Sequence, residues 1–203
     1  MKPKFIKKYM RLAKFVAKDQ PVCPSRQVGA VIVDPILNKV VGTGYNGPPP
    51  GTPHTDSRIY LEEYLWPLLT NDDIVSIGLM YKNHDSQEIT KTQFIDEFAG
   101  KGKCPRRILN VPSGRKMNLC TCGHAEVNAI INAAQNLNGC EMFLWETSPC
   151  VPCAHAIIMA RISTLHCFKG NFYANEANWL LEQAKITIHR YSQEWIFDME
   201  RNI

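Results

Sequence analysis

Two short stretches constrain this chain more than anything else in it: His124-Ala125-Glu126 and Pro149-Cys150-Val151-Pro152-Cys153. Each opens a helical pattern, over residues 125–134 and 151–160. Each helix follows a loop or a strand end, so both N-termini can be aimed at one point. A helix N-terminus offers free N–H groups and partial positive charge. That setting lowers a cysteine pKa, and zinc binds thiolate rather than thiol. Two cysteines three apart on one helical turn can grip a single ion, with His124 as a third ligand. Three protein ligands leave the fourth tetrahedral position for water, which marks a catalytic zinc site rather than a structural one.

The rest of the chain is consistent with such a site. Its 203 residues fit one domain, 1–203, carrying an insertion. Apolar residues make up 45 %, enough for a real core. The net charge of +4 is too small and too evenly spread for a duplex-binding face, so no nucleic-acid partner is expected. It suits a small anionic ligand equally well. No apolar run is long enough to span a bilayer. The N-terminal MKPKFIKKYMRLAKFVAK is a poor signal peptide. A cytoplasmic protein without a membrane partner is the expectation. In that compartment eight cysteines speak for metal or catalysis rather than disulfides. Four of the six histidines, His54, His124, His155 and His166, lie near them in sequence.

Residues 4–18 place Phe5, Tyr9, Leu12, Ala13 and Val16 on one helical face. Residues 28–34 and 39–44 read as strands joined by the short loop 35–38, an antiparallel hairpin. Residues 45–51, YNGPPPG, form a rigid turn. Residues 55–118 look like an insertion, with a helix at 57–69, a strand-like stretch at 75–81 and a basic, Gly-rich run, AGKGKCPRR. From Cys120 onward helices (125–134, 151–160, 174–184) alternate with strands (141–146, 164–168, 186–190). Such alternation implies βαβ crossovers and a partly parallel sheet covered by helices.

Glu126 stands two residues from the histidine, near the metal without binding it. It can take a proton from metal-activated water and pass it to a ring nitrogen and a departing amine. The order H-x-E, then P-C-x-x-C, is the signature of the zinc nucleobase deaminases, and the match includes Pro149. Taken alone, the C-x-x-C also reads as a redox pair. A structural zinc knuckle would want a fourth protein ligand and has no use for Glu126.

CPSRQVGAVIVD, TGYNGPPPG, HAEVNAI and SPCVPCA together resemble the deoxycytidylate (dCMP) deaminase family, over residues 1–54 and 119–190. The HAE and PCxxC motifs are common to the cytidine deaminase superfamily. The GYNGxPxG turn paired with HAExNAI is the more specific part. The resemblance implies a three-layer α/β/α sandwich around a five-stranded mixed sheet (cytidine deaminase-like), and zinc-dependent conversion of dCMP to dUMP and ammonia, feeding dTMP synthesis. It implies His124, Cys150 and Cys153 as zinc ligands and Glu126 as proton shuttle. It puts Asn46 on the deoxyribose, Ser25 and Arg26 in the loop approaching the phosphate, the Ala125 N–H on the pyrimidine carbonyl, and Tyr173 or Phe172 stacked on the base. An Arg suits a phosphate and stacking adds binding energy. Arg26 as a solvated surface residue and Asn46 as a turn residue remain open. The family also implies a homo-oligomer, hexamer or dimer, with dCTP plus Mg2+ as activator and dTTP as inhibitor.

Some relatives carry a second, structural zinc, and here Cys23, His54, Cys104 and Cys120 could form its ligand set, with Cys122 as a substitute. The alternative is a group of ordinary reduced cysteines. Cys140 and Cys167 read as core residues. Two rival functions remain. One is another deaminase of the superfamily, acting on cytidine, guanine or an adenine in transfer RNA. The other is a competence-type protein that kept the fold without the activity, against which Glu126 argues.

Overall fold

The computed structural model describes residues 1–19, 23, 25–82, 89–112, 115–146, 148–169 and 175–198. The chain divides into two compact units. The first comprises residues 1–21, 27–46 and 123–203, the second residues 22–26 and 47–122.

The first unit is built on a five-stranded mixed sheet. Its strands are β1 (Gly29–Asp34), β2 (Lys39–Tyr45), β3 (Glu141–Leu144), β4 (Thr164–Phe168) and β5 (Thr187–Tyr191), in the order β2-β1-β3-β4-β5. β1 runs antiparallel to both β2 and β3, while β3, β4 and β5 are parallel. The parallel pairs are connected through α6 (Val151–Met159) and α7 (Asn175–Gln183), as the alternation from Cys120 onward anticipates. The β1–β2 turn is the expected short one: Asp34 Oδ1 accepts from the Ile36 and Leu37 N–H groups.

Strand parity separates the two helical layers. Ala30 and Ile32 of β1, Met142 and Leu144 of β3, and Leu165 and Cys167 of β4 pack against α5 (Ala125–Ala133), α6 and α7. Val31, Val33 and Phe143 point the other way, onto α1 (Pro3–Asp19) and α8 (Gln193–Phe197). The unit is therefore a three-layer α/β/α sandwich. On α1 the buried positions are Tyr9, Met10, Ala13, Val16 and Ala17. Glycines let the helices approach: a Cβ on Gly29 would lie 2.2 Å from Ala13 O of α1, and one on Gly44 2.3 Å from Ala125 O of α5.

The second unit has its own apolar core, in which Tyr60, Leu61, Leu65, Ile77, Phe94, Phe98 and Ile108 are buried. The helix expected over 57–69 is a π-helical turn, Tyr60–Leu65, followed by a 3-10 turn, Trp66–Leu68. The strand-like stretch at 75–81 is helical, within α2 (Asn71–Lys82). Its β-branched residues favour a strand, but the helix start decides. Thr70 Oγ1 accepts from the Asp73 N–H, and Asp73 Oδ2 accepts from the Thr70 N–H, a reciprocal cap. Ile77 is then buried on the helix face. The helices α3 (Lys91–Phe98) and α4 (Pro105–Ile108) complete the unit. Among the described residues no helix is long and apolar enough to cross a membrane.

Candidate active site

His124 and Cys150 are the N-cap residues of α5 and α6, and Cys153 lies in the first turn of α6. Neither N-cap side chain caps its own helix; both point at a common centre. The His124 Nδ1 lies 3.3 Å from Cys150 Sγ and 3.3 Å from Cys153 Sγ. All three donor atoms fall within 4.8 Å of one another, and among the described residues this is the one His/Cys/Asp/Glu group gathered closely enough for a metal. A tetrahedral zinc with bonds of about 2.3 Å to sulfur and 2.0 Å to nitrogen holds N and S about 3.5 Å apart. Two thiols and an imidazole at these separations fit zinc.

The electrostatics point the same way. The Cys150 thiol is brought down to about 4, first by its hydrogen bond with Cys153 and further by the one with His124, against the effect of burial. Cys153 is pushed up by the same pairing and by burial. The two sulfurs thus behave as one thiolate and one thiol sharing a proton, which a cation would displace. Glu126, in the first turn of α5, is 4 % exposed. Burial pushes its carboxyl up, and it is hydrogen-bonded with Cys153. A carboxyl held toward its protonated form beside a metal site is suited to carry a proton in both directions.

Asn46 closes the other side of the same helix start. Its Oδ1 accepts from the Ala125 N–H at 2.9 Å, and its own N–H donates to Val28 O. The resemblance gives the Ala125 N–H to a pyrimidine carbonyl and Asn46 to a sugar; here the two residues are partners of each other.

Ser25 and Arg26 belong to the second unit and are exposed, and Ser25 Oγ accepts from Arg107 Nε at 3.3 Å. Arg107 carried no role in the sequence reading. Tyr173 and Phe172 lie outside the described residues. Of the second ligand set, Cys23, Cys104 and Cys120 are in the second unit, and so is Cys122, whose thiol is hydrogen-bonded with both Cys120 and Cys23. The Cys122 contact brings Cys120 down to about 6. His54 Nδ1 lies 3.5 Å from Asp56 Oδ1. Asn128, the asparagine of HAEVNAI, donates from Nδ2 to Tyr45 O at 2.8 Å.

A family model for the cytidine and deoxycytidylate deaminase zinc-binding region matches residues 3–169. The deoxycytidylate deaminase of Saccharomyces cerevisiae is 27 % identical over 193 residues, covering 95 % of this chain and 46 % of that protein. The deoxycytidylate deaminase of Enterobacteria phage T2 is 28 % identical over 196 residues, covering 88 % of each. The chain spans about half the length of the two fungal relatives it matches. Among solved structures, the dCMP deaminase of cyanophage S-TIM5 in complex with dCMP and dUMP superposes with a TM-score of 0.55 at 16 % identity, covering 94 % of this chain and 99 % of that one. That likeness is one of fold. With the family model covering most of its length and both motifs joined in one site, the chain belongs to the cytidine and deoxycytidylate deaminase zinc-binding family.

Proposed function

We propose that this protein hydrolyses the 4-amino group of dCMP, yielding dUMP and ammonia. The observation that carries the reading is the convergence of His124, Cys150 and Cys153 beside a buried Glu126 at two helix starts. The curated relatives being deoxycytidylate deaminases supports the substrate. Zinc held by these three residues supplies Lewis acidity and makes water nucleophilic near neutral pH. Glu126 takes a proton from the attacking water and delivers it to N3 of the ring. It then carries the second proton to the leaving nitrogen as the C4–N bond breaks and the C4–O bond is kept. Asn46 binds the deoxyribose, Ser25 and Arg26 recognise the phosphate, and Tyr173 stacks on the base, as the resemblance assigns them. For the Ala125 N–H to meet the pyrimidine carbonyl, it must exchange Asn46 for the substrate.

The test is a panel of dCMP, dCTP, deoxycytidine and CMP. Turnover of dCMP is expected to dominate, and equal rates on dCMP and deoxycytidine would remove the phosphate role from Ser25 and Arg26. Glu126→Gln is expected to lower turnover by about 10²–10⁴-fold while zinc stays bound; full activity in that variant sinks the mechanism. Repeating the panel with dCTP plus Mg2+, and with dTTP, tests activation and inhibition in a hexamer or dimer. A place in the cytoplasm, supplying dUMP for dTMP synthesis, follows from the same reading. A second, structural zinc would have to draw together Cys23, Cys104, Cys120 and either Cys122 or His54, a set less closely gathered than the first. The thiol contacts of Cys122 with Cys120 and Cys23 support such a site.

A further inference from the structure

β2 is an edge strand of the sheet, and an edge exposes carbonyls that no neighbouring strand pairs. α5 lies along it, running the opposite way: Gly44 abuts Ala125 and Ala129, and Gly42 abuts Ala129 and Ala133. Two asparagines one helical turn apart on α5 reach β2 carbonyls. Asn128 Nδ2 donates to Tyr45 O at 2.8 Å, and Asn132 Nδ2 donates to Thr43 O at 2.9 Å. The bonds are chemically alike. Their surroundings are not.

Tyr45 precedes Asn46, whose Oδ1 accepts from the Ala125 N–H. The other end of the Asn128 carboxamide lies against Gly123, the residue before His124: a Cβ on Gly123 would sit 2.7 Å from Asn128 Oδ1. One side chain therefore touches both the segment that delivers Asn46 and the segment that delivers the metal ligand His124. Asn132 touches neither. We propose that Asn128 is a positioning residue of the deaminase site, holding Asn46 and His124 in register. The role rests on the deaminase reading above. A misplacement of about 1 Å at such a site can cost on the order of 10²-fold in rate. Asn128→Asp keeps the shape but replaces the donor facing Tyr45 O with an acceptor.

The experiment compares Asn128→Asp and Asn128→Ala with Asn132→Asp and Asn132→Ala in the full chain. For dCMP, kcat/KM is expected to fall by about 10–10²-fold at position 128 and by less than about threefold at position 132. The thermal midpoints of the two pairs should shift alike. Gly123→Ala should reproduce the Asn128→Ala loss, and the double variant should be no worse than either single one, because the carboxamide that the new methyl strikes is gone. Equal losses at 128 and 132, losses that simply follow the thermal midpoint, or additive effects of Gly123→Ala and Asn128→Ala overturn the proposal. A second readout is independent of the substrate: zinc should pass to a chelator faster from Asn128→Asp than from Asn132→Asp. If the parent protein fails to turn over dCMP, the substrate reading falls and the zinc-transfer comparison alone decides the role of Asn128, with equal transfer rates refuting it.

Discussion

At the scale of single residues, His166 shows how much one position owes to its strand. In sequence it lies beside Cys167. On β4, however, Leu165 and Cys167 face the α5–α7 layer, and His166 faces away from it. There its Nε2 lies 2.7 Å from Glu141 Oε2, its Nδ1 lies 2.9 Å from the Tyr191 hydroxyl, and its ring stacks on Phe143 at 4.3 Å. The carboxylate can only accept, so Nε2 carries the proton and Tyr191 donates to Nδ1. Burial pushes this imidazole from 6.5 down to about 4, with Glu141 pulling it upward and His189 and the amino terminus opposing protonation. Between those two values the unfolded chain binds more protons at this group than the folded one. Stability is therefore undiminished above pH 6.5 and falls as pH drops toward 4, by roughly 3 kcal/mol in all. The thermal midpoint of the parent should drop more between pH 7 and pH 4.5 than that of His166→Asn; parallel curves would refute the assignment. The candidate site is more legible in the sequence. His124, Glu126, Cys150 and Cys153 announce themselves because their spacing lies within single helical turns. The pairing of Asn46 with Ala125 was illegible, since it joins residues 79 positions apart.

At the scale of elements, β2 packs closely against the first turns of α5, the helix whose N-cap is His124. Gly44 meets the backbone of α5 at Ala125 O and Ala129 N, both 2.3 Å from where a Cβ would be, and backbone cannot swing aside as a side chain does. Gly29 makes the equivalent approach to α1, at Ala13 O. Overpacking of this kind costs typically about 1–3 kcal/mol. Gly44→Ala and Gly29→Ala are both expected to lower the thermal midpoint. Only Gly44→Ala should also lower zinc content, because only α5 carries His124. Full zinc in Gly44→Ala, at a reduced midpoint, would show that the helix start does not depend on this contact. The strands and helices of the first unit were legible because their hydrophobic periods are long and uninterrupted. Residues 75–81 misled because a short β-branched run fits a buried strand or a buried helix. The Thr70–Asp73 cap, not the run itself, resolves it.

At the scale of the whole molecule, the chain carries two cysteine groups in two compact units, His124/Cys150/Cys153 in one and Cys23/Cys104/Cys120/Cys122 in the other. Metal analysis of the purified chain should find about two zinc ions, and Cys122→Ser should reduce this to about one while leaving the ion at His124 in place. A parent with one zinc per chain removes the second site. The sequence by itself determined the ligand pattern of the first site, the alternating architecture around it and the mixed sheet, because each is written in contiguous residues: ligand spacing on one helical turn, and hydrophobic period along one element. Only the tertiary structure decided that Asn46 Oδ1 accepts from the Ala125 N–H, that Asn128 reaches Tyr45 O, that His166 faces away from Cys167 and that Cys122 contacts Cys120 and Cys23. Those outcomes depend on strand parity and on close approach between segments far apart in the chain, and local patterning carries no record of either.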